Sequence, residues 1–266
     1  MKVMQTRTFL IKTIQILSVL FLAGVLYVNY LSVTLPINGI TTEEVSDKYS
    51  NLFTPAAITF SVWGVIYLGL VMYVIWQLQT LFSSKYLLEV DLVVRKIGVL
   101  FLITCLLNVA WLYAWHYEKL FYSVLIMAGL LFSLISINKR ISFELPNTPQ
   151  YKLFLKVPFG MYLGWISIAF ISNVAAYLTK TGWEGLGLDP RFWQMAMVTF
   201  ATVISCWAVS KLNNVAYGLV VLWALGGLLM FRISDGMPSI TVTLLITVCA
   251  LIILITTINR IKRWTT

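Results

Sequence analysis

The sequence predicts an all-α integral membrane protein with eight transmembrane helices, both termini cytoplasmic. Three observations carry that prediction. Of its 266 residues 60% are hydrophobic and only 11% charged, the mean hydropathy is +0.88, and apolar runs of bilayer-spanning length recur along the chain. Soluble domains carry about a quarter charged residues. The alternating ten-residue pattern of an outer-membrane barrel is missing.

Eight apolar segments can be drawn, at roughly 10–31, 54–79, 96–116, 119–138, 156–178, 192–210, 214–232 and 238–259. The first resembles a signal peptide, but its apolar run is long and no convincing cleavage site follows, so it reads as a retained span. The third and fourth form a tight hairpin around Tyr117-Glu118-Lys119. The longest connection, 32–53, is polar.

The net charge of +9 would suggest nucleic acid in a soluble protein. Here the basic residues sit between apolar runs, so membrane topology explains them and no nucleic-acid partner is expected. With the N-terminus inside, only Lys48, Lys119, Lys180, Arg191 and Arg232 of the 19 Lys and Arg fall outside. An even number of spans satisfies the positive-inside rule, whereas seven would lose the bias. A bacterial plasma membrane is the simplest setting.

The second span, within Leu52–Leu78, starts through Thr54, read as a helix cap, and Pro55, read as the first helical residue. Phe60, Trp63 and Tyr67 follow on one helical face. In the third span Asn108, Trp111 and Trp115 share a face, and in the fifth Trp165 and Asn173 lie on broadly one side. Two readings stand. The amides and rings are interhelical hydrogen bonds and ordinary core, or they line a concave apolar pocket with a few polar groups.

Catalytic chemistry is poorly provided. The spans as drawn hold no Asp or Glu, and no phosphate loop, zinc signature or other metal cluster is found. The single histidine, His116, reads as a surface or interfacial residue. Cys105, Cys206 and Cys249 lie inside apolar runs and read as small hydrophobes. Gly160, Gly164, Ala196, Ala201, Gly218, Ala224, Gly226 and Gly227 read as helix-packing positions. Trp183, Trp193 and Trp264 read as interfacial anchors.

At three of these places the chain resembles the translocator-protein family, also called tryptophan-rich sensory or peripheral benzodiazepine receptor-like proteins. Thr54-Pro55, Val62-Trp63 and Tyr67 match its second helix, and Leu107, Asn108 and Trp111 its third. Tyr162, Leu163, Trp165 and Asn173 match its fifth. The resemblance covers about residues 10–180 and implies a five-helix bundle over 1–180, with three additional spans over 181–266. It also implies binding of protoporphyrin, haem or another planar hydrophobic molecule, in a pocket beneath the loop joining the first two helices. The ligand-binding residues would be Trp63, Tyr67, Asn108, Trp111, Trp115, Trp165 and Asn173. Ala57 replaces a ring usual in the family, and Tyr49-Ser50-Asn51 replaces its Trp-rich stretch.

The expected function is therefore small-molecule binding with a sensory, regulatory or trafficking role. A secondary transporter for a small hydrophobic solute is the alternative, and an enzyme is the less favoured reading. The expected partners are membrane lipid, the hydrophobic ligand and a second copy of the chain.

Overall fold

The computed structural model describes residues 2–83, 86–234 and 239–265. Its helices are α1 (Lys2–Thr34), a short α2 (Thr42–Lys48), α3 (Val62–Leu78), α4 (Leu87–His116), α5 (Leu120–Phe143), α6 (Pro149–Lys180), α7 (Pro190–Leu212), α8 (Val215–Ser234) and α9 (Ile240–Thr265). All but α2 are long and apolar enough to cross a membrane, α3 together with its flanking 3-10 turns, which gives the eight expected spans. The protein thus has a loop end, carrying the α1–α3 connection, and a terminal end.

The first five spans close into a ring in the order α1, α3, α6, α5, α4. Small residues set the close approaches. A Cβ on Gly69 would lie 3.0 Å from the Pro158 side chain, joining α3 to α6, and one on Gly98 would lie 2.7 Å from Ile14, joining α4 to α1. In the middle of the ring Tyr73, Phe101 and Phe159 pack edge to face, with centroids 5.1, 5.1 and 6.0 Å apart, and all three are fully buried.

The last three spans form a layer on the α6 side. Gly164 meets the backbone of Tyr217, where a Cβ would come within 2.8 Å, and Gly160 meets the Asn214 amide. Gly218 faces Thr257, while α9 also packs along α7. Ala201 and Ala224 are buried as expected. Ala196 and Gly226 are not packing positions. The first is exposed and a Cβ on the second would meet nothing within 4 Å, because both point away from the layer.

Helix limits differ from the sequence reading where polar residues pair locally. The third span starts at Leu87 and carries Glu89 and Asp91 with it, because Asp91 pairs with Arg95 one turn on. Lys96 pairs with Glu144 at 2.7 Å, and the Arg140 guanidinium donates to the Lys96 carbonyl. The fifth span starts at Pro149, with Thr148 accepting from the Tyr151 amide. Both helices pass through a π-turn, Val94–Gly98 and Lys152–Lys156, near the terminal end. The α4–α5 hairpin turns at Tyr117-Glu118-Lys119, with Glu118 at φ +54°.

The start of α3 also differs. Thr54 is not its cap: the Thr54 hydroxyl accepts from the Asn51 amide behind it, and Pro55 lies in the turn before a 3-10 segment, Ala57–Ser61. A reverse turn closed by the Asn51 and Thr54 side chains uses the capping hydroxyl before the helix can. In the long connection α2 has a capping box between Thr41 and Glu44, a helix the composition of 32–53 did not suggest. The side chain of Trp264 lies outside the described residues.

Candidate ligand site at the loop end

Helical spacing from the 3-10 segment into α3 turns Phe60, Trp63 and Tyr67 inward, while Val65 and Leu68 face outward. Trp63 is the centre of the cluster. It stacks on Tyr67 at 5.3 Å, tilts against Trp111 at 6.5 Å, and meets Tyr162 and Trp165 edge on at 5.7 and 6.1 Å. Trp111 in turn stacks on Trp115 at 5.7 Å, and Phe60 meets Trp165 at 5.9 Å. Each such ring contact contributes about 0.5–1.5 kcal/mol beyond burial. Trp111, Trp115 and Trp165 are buried, and Trp63 is half-buried.

The two asparagines bond across helices. Asn108 donates to Tyr162 Oη at 3.2 Å and Tyr67 Oη at 3.4 Å, and its oxygen accepts from Asn29 of α1 at 3.0 Å. Asn173 accepts from Trp111 Nε1 at 3.0 Å and donates to Ser123 at 2.8 Å. Trp115 Nε1 donates to the Thr42 carbonyl of α2. Trp165 Nε1 is buried and finds no acceptor among the described residues. A buried unpaired donor costs about 1–3 kcal/mol.

Two cavities adjoin the cluster. One is small, about 40 Å³, between Trp63, Trp111, Trp115, Trp165, Asn173 and Ala224. The other is a cleft of about 730 Å³ between α1 and α3, lined by Asn29, Tyr30, Ala57, Phe60, Trp63, Tyr67 and Trp111 among others. Its rim residues Tyr30, Val33 and Ile58 are exposed, so it opens sideways between the two helices. Trp63, Trp111, Phe60 and Thr42 line both, and Trp63 is the partition. Six of the seven sequence-derived positions thus reach a cavity. Asn108 reaches neither and ties α1, α3 and α6 together from behind. Asn29, Tyr30 and Phe60 were not among those positions. An amide inside the first apolar run was the available signal for Asn29.

The roof is built by α2. His116 is not a surface residue: it is fully buried, with Nε2 2.9 Å from the Thr42 hydroxyl and Nδ1 3.1 Å from the Ile37 carbonyl, while the Asn38 amide donates to the His116 carbonyl. The connection folds back over the end of α4 and encloses the ring. Farther out Glu118 accepts from Lys48 at 2.6 Å and from the Tyr49 hydroxyl. Those bonds hold the Glu118 carboxyl below its ordinary value, and burial together with Glu118 pushes Tyr49 up to about 12. A depressed folded-state pKa contributes stability above the unfolded value and loses it as pH falls through the folded one. Protection factors of the 42–49 amides should therefore be lower at pH 3 than at pH 6, and Glu118→Gln should reduce the difference. Equal protection of the wild type at both pH values would refute the clamp.

The last three spans secure the other side of the site. Trp223 Nε1 donates to the Thr59 carbonyl at 3.0 Å, and the Ala56 amide donates to the Gly227 carbonyl at 3.0 Å. Arg232 donates to the Asn51 carbonyl, and Gln194 of α7 to that of Leu52. Residues 51–59, which lead into α3, are thus held by helices from the far end of the chain. The sequence carried no sign of these backbone contacts.

A closed helical ring with an aromatic-walled cavity beneath a folded loop defines a multi-pass membrane protein of helical-bundle type. The TSPO-like protein family model matches residues 15–258, and the chain belongs to that family. The match takes in six of the spans whole and most of the first and the eighth, beyond the 10–180 where motifs were legible. No curated protein and no solved structure matches the chain.

Proposed function

We propose that this protein binds a planar hydrophobic molecule, tetrapyrrole-like in size, in the cleft between α1 and α3, with a sensory, regulatory or trafficking output. The observation that carries the reading is the 730 Å³ cleft backed by the Trp63–Tyr67 stack and Trp111. Its volume lies within the ~300–1,000 Å³ of small-ligand sites. The 40 Å³ chamber behind Trp63 is far smaller and would admit only a substituent or water. Trp165 Nε1, which borders that chamber, offers a hydrogen bond to any acceptor placed there.

Haem bound through its iron fits less well than a metal-free macrocycle. Neither cavity is lined by His, Cys or Met, and both ring nitrogens of His116 are engaged. The transporter reading is weaker, because the fully buried Tyr73, Phe101 and Phe159 lie between the cleft and the terminal end. In this reading residues 1–180 form the binding unit, 181–266 brace it, and both termini face the cytoplasm of a bacterial plasma membrane.

Titration of the purified full chain with protoporphyrin should quench tryptophan fluorescence saturably. Trp165→Phe loses no protein hydrogen bond, so its stability should fall by no more than about 1 kcal/mol. Its affinity for an acceptor-bearing planar ligand should nevertheless drop severalfold. Non-saturable quenching by the wild type would remove the proposal.

A further inference from the structure

A second cavity system lies on the opposite side of the ring from the cleft. We propose that the groove between α5, α6 and α7 is a binding site for an anionic glycerophospholipid of the leaflet at the terminal end. The groove has a volume of about 460 Å³ and an almost wholly apolar wall. On α5 its lining recurs every fourth residue, Leu131, Ile135 and Lys139. On α7 it runs from Phe200 through Ile204 and Ala208 to Lys211. Small residues, Ala201, Ser205 and Ala208, hollow out the α7 side, and Ser142 closes the floor by bonding to the Leu212 carbonyl at 3.0 Å.

Length and charge together select the occupant. Phe200 to Lys211 rises about 16 Å at 1.5 Å per residue, close to half of a ~30 Å hydrocarbon core, so the groove is as deep as one leaflet. Its one charged end carries two lysines, both exposed, and neither forms an ion pair among the described residues. One acyl chain along the apolar wall would leave a headgroup phosphate level with the two ammonium groups. A neutral lipid would satisfy the wall but not the lysines. The α7 wall belongs to the last three spans, so the site is independent of the α1–α3 cleft.

The test is native mass spectrometry of the full chain, exchanged from detergent into mixed micelles with equal phosphatidylglycerol and phosphatidylcholine. Wild type should retain phosphatidylglycerol over phosphatidylcholine by roughly thirtyfold, as expected for two lysines near a lipid surface. Lys139→Gln/Lys211→Gln, which alters exposed side chains only, should bring that ratio to about one, while Lys12→Gln on α1 should leave it unchanged. Ile204→Trp, filling the groove from its half-open side, should lower retention of both lipids. Equal retention of the two lipids by the wild type overturns the proposal. So does a preference that survives in the double Gln variant, or one that Lys12→Gln removes equally.

Discussion

Replacing Gly227 by Val should destabilise the protein by about 3 kcal/mol, at the upper end of the usual cost of overpacking. A Cβ at this position would lie 1.8 Å from Thr59 Oγ1 and 2.8 Å from Thr59 Cβ. Thr59 cannot retreat, because it is fully buried in the 3-10 turn that starts the second span and its carbonyl accepts from Trp223. The clash would separate α8 from residues 56–59 and break the bond from the Ala56 amide to the Gly227 carbonyl. Gly226→Val supplies the control, since a Cβ there has open space. In detergent the first variant should melt several degrees below wild type and the second within a degree or two of it. Equal melting of the pair would show that α8 does not brace the site.

Trp63→Ala should have the largest effect on ligand binding, a loss of tenfold or more in affinity for a planar molecule. Its ring supplies the stacking face and keeps the 40 Å³ chamber apart from the cleft. Truncating such an anchor typically costs 2 kcal/mol or more of binding. Because Trp63 is only half-buried, the folding penalty should stay below the 3–5 kcal/mol of a fully buried Trp→Ala change. The variant should therefore still fold, and titration by equilibrium dialysis would separate the two effects. An unchanged dissociation constant would move the ligand away from the cluster.

The helical period of the second span was enough to place Phe60, Trp63 and Tyr67 on one face, and the structure turns that face inward. Pairing of Asn108 and Asn173 across helices was also foreseeable, since an amide in hydrocarbon needs a partner. The partners themselves were not, because Asn29, Tyr162, Trp111 and Ser123 come from other helices. His116 was misplaced for a related reason. Its sequence neighbours, Tyr117 and Glu118, belong to an exposed turn, and only the folding back of Ile37–Thr42 buries it.

What the sequence determined by itself is the number of spans and which faces of them carry rings, because apolar length and helical period are local properties written along the chain. Tertiary structure alone decided that Trp63 divides two cavities and that Asn108 is a brace behind them. It also decided that Gln194, Trp223, Gly227 and Arg232 hold the start of α3. Those outcomes depend on which helices become neighbours, and in hydrocarbon that choice is made by shape and hydrogen bonds between distant segments.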